Sequence, residues 1–283
     1  MKNYLKKLLS PLLGVSAIKI PAVRLEGVIS GQSQLTHTPL SLSSCETMLE
    51  KAFKDKEAPA VILIVNSPGG APVQAHLIFK YIRQLADKNK KKVLVFVEDV
   101  AASGGYMIAC AGDEIFADPA SIVGSIGVIS TSFGFTELID KLGIKRRVYT
   151  AGKNKISLDP FLPEKEEDVK HLKEMQNEIH DHFIKLVQDS RKEKLADDKN
   201  IFTGMYWTGI TAQKLGLIDH LDHMHNVIKT RYGEETKIKI IQPPKNKFLQ
   251  SLKFLSKKNV GQEIVEHTIS NIKSEAAHAR YKL

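Results

Sequence analysis

The sequence lacks the residues and runs that mark several classes of protein. Only two of its 283 residues are cysteine, Cys45 and Cys110, which excludes a disulfide framework and a cysteine metal cluster. The nearest approach to a long apolar run, residues 8–18, contains Pro11 and is far shorter than the ~18 residues of a membrane-spanning helix. It has no small-residue cleavage site, so it is not typical of a signal peptide. The remaining composition, 42% apolar and 26% charged, is that of an ordinary globular protein.

Acidic residues are scarce at both ends of the chain, so the net charge of +9 is unevenly distributed. Residues 1–20 carry +4 and residues 237–283 carry +7, whereas residues 21–236 carry −2. Basic tails of this kind suit anionic lipid headgroups or nucleic acid. No nucleic-acid motif and no basic–aromatic interleaving accompanies them, so we expect no nucleic-acid partner. We expect a role in solubility or a peripheral membrane surface, and a cytoplasmic or peripherally membrane-associated protein.

The chain divides by composition into three parts. Residues 1–22 form a basic N-terminal segment in which leucines at positions 5, 8, 9 and 12 share one helical face. That face is typical of a weak interfacial anchor, or of a terminal helix that packs on the body or on a partner. Residues 23–232 form the body, and residues 233–283 a basic extension.

Strands and helices alternate along the body in the order expected of a parallel sheet. Residues 60–65 and 93–97 are continuous apolar runs, typical of strands buried on both faces. A helix is predicted after each of them, which indicates right-handed βαβ units and an α/β fold. A long, highly charged helix is predicted at about 163–194. Its histidines, His171, His180 and His182, lack a metal-binding spacing and are interpreted as surface residues.

The turn after the second buried strand carries the main candidate nucleophile. Ser103 is followed at once by Gly104 and Gly105, and residues 106–111 are typical of a short buried helix. A hydroxyl there lies at a helix N-terminus, where unpaired N–H groups and the macrodipole favour negative charge. That position suits a nucleophile and its oxyanion, but a simple helix N-cap explains the same residues.

A second glycine turn follows the preceding strand and ends in Gly69-Gly70. If the two strands are parallel, both turns lie at the same edge of the sheet, where α/β folds bind their ligands. The backbone N–H groups of Gly70 and Gly104 then converge on one oxygen and form an oxyanion hole. Glycine permits the close approach that this arrangement requires.

No local motif identifies the base that would serve Ser103. The sequence has no G-x-S-x-G elbow, and His76 has no triad context. The S-x-x-K pattern occurs only in the basic ends, outside the body. A lysine from elsewhere must be buried, because its pKa has to fall from ~10.4 to roughly 7–8. Lys155, in a glycine-containing loop, is a candidate, and Lys153 would point the opposite way in an extended segment.

Four motifs in register resemble the signal peptide peptidase A family, peptidase family S49. They are Asn-Ser-Pro-Gly-Gly at 66–70, Ala-Ser-Gly-Gly-Tyr at 102–106, Gly-Ser-Ile-Gly-Val at 124–128 and Gly-Lys-Asn-Lys at 152–155. The similarity spans about residues 23–222. Members of the family are Ser/Lys-dyad serine proteases, so the resemblance implies a ClpP/crotonase-like spiral of βαβ units with a mostly parallel sheet. We expect no cofactor and no metal.

The resemblance also implies a role for each motif residue. It assigns Ser103 as nucleophile, Lys155 as general base and Ser125 as the hydroxyl that orients the lysine, with the amides of Gly70 and Gly104 as oxyanion hole. Further substrate-binding positions are expected at Ser67, Pro68, Gly69 and Gly105. A homo-oligomer is implied, in which the serine of one subunit is served by the lysine of its neighbour. Two departures are the short basic segment where members carry a membrane anchor, and Met205 where they often have arginine.

The expected function is therefore a serine endopeptidase that hydrolyses extended apolar peptides, such as remnant signal peptides, bound by strand addition. Two other functions remain open. A crotonase-like acyl-CoA hydrolase or hydratase would use the two glycine amides on a thioester carbonyl without Ser103 and Lys155. A non-catalytic ring-forming assembly protein would need the fold but not the chemistry.

Overall fold

A sheet with helices on both of its faces forms the body of the computed structural model, which describes residues 17–32 and 39–243. The strands are β1 (Lys19–Glu26), β2 (Ala60–Ser67), β3 (Lys92–Ala102), β4 (Glu114–Ala117), β5 (Ile122–Gly124), β6 (Tyr206–Thr208), β7 (His220–Leu221) and β8 (Lys237–Ile240). The helices are α1 (Leu42–Phe53), α2 (Pro72–Asn89), α3 (Gly104–Ala109), α4 (Thr136–Lys141), α5 (Glu166–Arg191), α6 (Gly209–Lys214) and α7 (Met224–Tyr232).

The strand order β6-β5-β3-β2-β1-β8 confirms the predicted α/β class with a mostly parallel sheet. Of the described strand pairs, only β5 with β6 is antiparallel. Strand β3 is long enough to pair with β4 along residues 94–97 and with β5 along residues 100–102. This second pairing brings the end of β5 beside the end of β3, where the candidate nucleophile follows.

Burial on both faces explains why β2 is a continuous apolar run. Val61, Leu63 and Val65 pack into the larger core cluster with residues of α1, α2 and α5. Ala60, Ile62 and Ile64 point to the opposite face and pack into a second cluster with α7. Side chains alternate between the faces of a strand, so a central strand covered on both sides requires apolar residues at every position.

The body extends beyond the predicted boundaries at both ends. Strand β1 already begins at Lys19, and β8 pairs with it in parallel, from Lys19 with Lys237 to Ala22 with Ile240. The compact unit that contains the sheet ends at Ile241. The sheet therefore includes residues on the far side of the divisions predicted after residues 22 and 232, and the three-part division itself stays a prediction. The predicted amphipathic face within residues 1–16 and the basic tail from residue 244 lie outside the described residues.

Residues 128–162, here called the arm, differ most from prediction. The sequence pattern predicts short strands near 128–130 and at 146–150. Neither forms in this fully described segment, whose regular structure is the short α4. None of the strands in the described sheet lies within the arm, so the arm makes no strand-to-strand hydrogen bonds of the kind that hold the sheet together. Several large apolar side chains on it are exposed, namely Ile129, Phe133, Leu138, Leu142, Ile144 and Tyr149. The arm thus lacks a core of its own.

The long charged helix is confirmed as α5, and its C-terminal end is fixed by a buried ion pair. Arg191 is 2% exposed and donates two hydrogen bonds to the Asp219 carboxylate, at 2.9 and 3.1 Å. Asp219 also accepts from the Ile115 amide at 2.8 Å and from Lys194 at 2.7 Å. Burial raises the pKa of Asp219, but the hydrogen bonds from Arg191 and Lys194 outweigh it and lower the pKa to about 2.

We expect Arg191→Ala to lower the free energy of unfolding by about 3 kcal/mol, because it leaves a buried carboxylate with only Lys194 as a charged partner. Lys185→Ala is the matched control on the same helix. Its pair with Asp189 is solvent-exposed, so a loss below about 0.5 kcal/mol is expected. Urea denaturation measures both variants, and equal losses would contradict a structural role for the Arg191–Asp219 pair.

The lowered pKa of Asp219 also predicts an acid dependence of stability. The stabilisation is complete above the unfolded-state pKa of about 3.9 and is lost as the pH falls towards the folded-state value of about 2. The free energy of unfolding of the wild type should therefore fall more steeply between about pH 5 and pH 2 than that of Asp219→Asn. A residual slope should persist, because Arg231 lowers the pKa of Glu114 to about 2 as well. Parallel curves would count against this explanation.

Candidate active site

The carboxyl ends of β2 and β3 open onto a cavity of about 850 Å³. The β2–α2 turn contributes Pro68, Gly70 and Pro72 to its lining, and the β3–α3 turn contributes Ser103, Gly104 and Met107. The remaining lining residues are Ser125, Gly127, Val128, Ile129, Ile179, His180, Phe183, Thr203 and Gly204. The prediction that both glycine turns meet at one edge of the sheet is confirmed.

Ser103 occupies the N-cap position of α3, but its side chain makes no capping hydrogen bond. Capping therefore does not account for this serine. Its backbone has φ +51°, a region that residues other than glycine seldom adopt. Backbone hydrogen bonds hold it there: its N–H donates to the Gly124 carbonyl at 2.8 Å, and its carbonyl accepts from the Met107 amide at 3.0 Å. The hydroxyl is thus held at the cavity by its surroundings.

The backbone of Gly70 is oriented by a bridge to Ile29. The Ile29 N–H donates to the Gly69 carbonyl, and the Ala71 N–H donates to the Ile29 carbonyl, both at 2.8 Å. In a parallel bridge of this kind the N–H of the middle residue, Gly70, points to the other side. Gly104 lies nearby, since its β-carbon, if it had one, would be 3.5 Å from the Gly70 nitrogen.

The two amides predicted as an oxyanion hole are therefore close neighbours at the cavity. Gly104 is the first residue of α3, so its N–H has no partner within the helix. A β-carbon at Gly69 would lie 2.8 Å from that of Ser103 and 2.9 Å from the Gly104 nitrogen. Only a turn without side chains allows this approach. The catalytic use of these amides stays a prediction.

Ser125 lies beside Ser103. Strands β3 and β5 pair in register at Ala102 with Gly124, so the two serines are the next residues on adjacent strands. Ser125 also has positive φ, +54°, and its N–H donates to the Met205 carbonyl at 2.7 Å. The structure thus brings together four of the five residues predicted to form the catalytic centre.

Lys155, the fifth, is not among the residues that line the cavity. It is exposed on the arm, and its backbone N–H donates to the Gly152 carbonyl at 3.3 Å. Lys153 is exposed on the same loop. Among the described residues that line the cavity, His180 is the one histidine and there is no lysine. One copy of the chain therefore presents the candidate nucleophile, Ser103, without its predicted base.

Two residues predicted to bind substrate have structural positions. Ser67 is fully buried; its hydroxyl donates to the Gly27 carbonyl at 2.7 Å and accepts from the Gly69 amide at 3.2 Å. Gly105 packs against it, since a β-carbon there would lie 2.3 Å from the Ser67 carbonyl oxygen. These contacts shape the turn and seat α3 on β2. Substrate binding at Ser67 and Gly105 stays a prediction. Pro68 does line the cavity.

Helix α5 also contributes to the cavity, which the sequence does not indicate. Ile179, His180 and Phe183 line the cavity, and the His180 Nε2 lies 3.0 Å from the Ile126 carbonyl oxygen. His182 faces elsewhere, with its Nε2 3.3 Å from that of His76. Helical periodicity identifies an apolar stripe but not the cavity that it borders, so no signal in the sequence placed these residues. In the described part of the chain, no group of three or more potential metal ligands converges.

Comparison with known proteins identifies relatives of this chain. The family model described as peptidase family S49 matches residues 86–238, which include Ser103, Ser125 and Lys155. The chain is 36% identical over 182 residues to the "Putative protease MJ0651" of Methanocaldococcus jannaschii, covering 64% of this chain and 58% of that protein. It is 30% identical over 227 residues to the "Putative signal peptide peptidase SppA" of Enterococcus faecium, covering 78% and 65%.

A further relative carries a different name. The chain is 56% identical over 243 residues to a Brucella abortus protein named "Na(+)/H(+) antiporter NhaA", covering 86% of this chain but 33% of that protein. That name describes a protein of which two thirds lie outside the match, so it does not define the matched part. In the portion of our chain that the structure describes, no helix has the length and apolarity to span a membrane. The chain spans less than two thirds of the length of all three relatives.

The Gly70 turn can be tested by comparing two alanine substitutions. Gly70 has φ +140° and a β-carbon there would lie 2.1 Å from the Ile29 carbonyl oxygen, whereas Gly27 has φ +90° with nothing within 4 Å. We expect Gly27→Ala to cost about 1–2 kcal/mol of stability from backbone strain alone. Gly70→Ala should cost clearly more, because the clash adds to the strain. Equal losses in urea denaturation would refute the close approach at residue 29.

Proposed function

This chain belongs to peptidase family S49, and from that premise we propose that it is a serine endopeptidase acting through Ser103 and Lys155. The observation that carries the proposal is the position of Ser103. Its hydroxyl makes no capping hydrogen bond, and it shares a cavity with Gly70 and Gly104. The two glycines are close, since a β-carbon on Gly104 would lie 3.5 Å from the Gly70 nitrogen. Membership of a peptidase family favours this function over acyl-CoA chemistry on the same fold.

In the proposed mechanism, the Ser103 Oγ attacks the carbonyl carbon of the scissile peptide bond. Its proton passes to the neutral amine of Lys155, and the oxyanion accepts hydrogen bonds from the amides of Gly70 and Gly104. Each such donor contributes about 2.7–4 kcal/mol to lowering the barrier. The protonated lysine then gives its proton to the leaving amine. Water hydrolyses the acyl-enzyme with the same lysine as base, which restores the Ser103 hydroxyl.

We propose that the lysine comes from a second copy of the chain. Lys155 lies on the arm and is exposed, while the cavity with Ser103 contains no lysine among its described lining residues. The arm also exposes large apolar side chains, including Phe133 at 78% and Tyr149 at 91%. A surface of this kind marks an interaction site. Docking of the arm on a neighbouring copy would cover these side chains and bury the amine, and burial favours its neutral form.

The proposed substrates are extended apolar peptides, for which remnant signal peptides are one source. Much of the cavity wall is apolar, with Met107, Val128, Ile129, Ile179 and Phe183 among its lining residues. Such a wall favours apolar side chains over charged ones, because a charge buried there would lose its hydration without gaining a partner. The basic ends of the chain would favour an anionic membrane surface as the place where such peptides are met.

We expect Ser103→Ala and Lys155→Ala each to reduce hydrolysis of a fluorogenic apolar peptide by about 10³-fold or more. Both variants should keep the oligomer mass of the wild type in light scattering. Lys153→Ala, two residues away on the same exposed loop, is the matched control and should retain activity. A serine-directed phosphonate should label the wild type but not Ser103→Ala. Full activity of either dyad variant would overturn the assignment.

A mixing experiment tests whether the dyad is shared between copies. After the two inactive variants are refolded together, some sites combine Ser103 from a Lys155→Ala chain with Lys155 from a Ser103→Ala chain. Activity should then return in the mixture although each variant alone is inactive. A mixture that forms mixed oligomers by mass spectrometry yet stays inactive would show that the dyad does not form between copies.

A further inference from the structure

His180 lies in the wall of the cavity that holds Ser103 and Ser125. Its Nε2 is 3.0 Å from the carbonyl oxygen of Ile126, the residue that follows Ser125. We propose that His180 is a positioning residue, which holds Ser125 in place through this hydrogen bond. The inference rests on the proposed function, in which Ser125 orients the lysine, and it adds a residue from a different element to that site.

The hydrogen bond to the Ile126 carbonyl determines the tautomer of the His180 ring. A backbone carbonyl only accepts hydrogen bonds, so Nε2 must carry the proton and donate it. In the neutral ring the proton is then absent from Nδ1. Burial restricts the movement of both partners of this hydrogen bond. Ile126 is fully buried, and Phe183, one turn after His180 on α5, is 3% exposed. The bond therefore joins two segments that are each held by core packing.

Ser125 needs such support because of its backbone conformation. Its φ of +54° is disfavoured for a residue with a side chain, at a cost of about 1–3 kcal/mol that the surroundings must offset. Strand β5 ends at Gly124, so the sheet no longer holds the chain at this point. Two hydrogen bonds flank the serine instead: its own N–H donates to Met205, and the next carbonyl accepts from His180. Loss of the second would remove the restraint on the carbonyl group next to Ser125, although the Ile126 side chain would stay packed in the core.

A second histidine on α5 provides a matched control. His182 is two residues away but lies across the helix, and its Nε2 is 3.3 Å from the His76 Nε2. It lines a different groove, between α2 and α5, and does not contact the cavity with Ser103. A general effect of removing a histidine from this helix would appear in both variants, whereas an effect through Ser125 would appear only at position 180.

The first test separates turnover from binding. With the fluorogenic apolar peptide, His180→Ala should lower kcat by about 10- to 100-fold, the cost of a misplaced catalytic group, with little change in KM. His180→Gln should restore much of kcat, because its amide nitrogen can donate to the same carbonyl. His182→Ala should match the wild type. If His180→Ala behaves like His182→Ala, or if only KM changes, the inference is wrong. If His180→Ala fails to fold, the proposed role of His180 is tested by two other measurements. They are the kcat of His180→Gln relative to the wild type and the nitrogen-15 spectrum described below.

The second test asks whether His180 acts through Ser125. In a Ser125→Ala background, His180→Ala should change kcat by no more than about two-fold, because the group that it positions is already gone. Effects that simply multiply in the double variant would show that His180 acts by another route, and would overturn the proposal.

A spectroscopic test is independent of activity. Nitrogen-15 spectra of the histidine rings, with the His180 signals identified by their loss in His180→Gln, should show the Nε2–H tautomer in the wild type and in Ser103→Ala. An Nδ1–H tautomer, or a ring N–H in free exchange with water, would contradict the hydrogen bond whatever the enzyme does. If the bond is present but hydrolysis does not depend on Ser103, the proposed function fails, and a catalytic effect of His180 fails with it.

Discussion

The site depends on the close approach of two turns at the carboxyl ends of neighbouring parallel strands. A β-carbon at Gly69 would fall 2.8 Å from that of Ser103, well inside van der Waals contact, so the turns meet only because residue 69 has no side chain. The contact is held from outside by buried groups: Ser67 fixes one turn, and the pairing of Ala102 with Gly124 fixes the other. Serine and amides are thereby preorganised before any substrate binds, as electrostatic catalysis requires.

The residues proposed for catalysis lie on two different parts of the chain, the sheet and the arm. Ser103, Gly70, Gly104 and Ser125 all sit on or beside sheet strands whose residues are buried, whereas Lys155 projects from an arm with exposed apolar side chains. A base held on a separate surface would make catalysis conditional on assembly. An isolated subunit would then carry the proposed nucleophile, the half-buried Ser103, but could not activate it, which would limit unwanted proteolysis before the oligomer forms.

The elements that sequence reasoning predicted well are those governed by local pattern. Continuous apolar runs indicated β2 and β3, because a strand covered on both faces needs apolar residues throughout, and helical periodicity indicated α5. The failures arose where tertiary contacts decide. The segments of the arm whose pattern indicates strands join no strand of the described sheet, and a local pattern does not reveal whether a pairing partner is within reach. The burial of Ser67 and its hydrogen bond to Gly27 likewise depend on contacts between distant segments, which its residue type does not indicate. His180 and Phe183 were not recognised as cavity residues, since periodicity does not reveal what a helix faces.

The central claim is that the catalytic pair forms between two copies of the chain. The most direct measurement is an experimental structure of the assembled wild-type protein, read at one distance, from the Lys155 Nζ to the nearest Ser103 Oγ. The account predicts that the two atoms belong to different copies and lie within hydrogen-bond reach, about 2.6–3.2 Å, with the amine shielded from solvent. An assembly in which every Lys155 remains in open solvent, or approaches only the serine of its own chain, would contradict it.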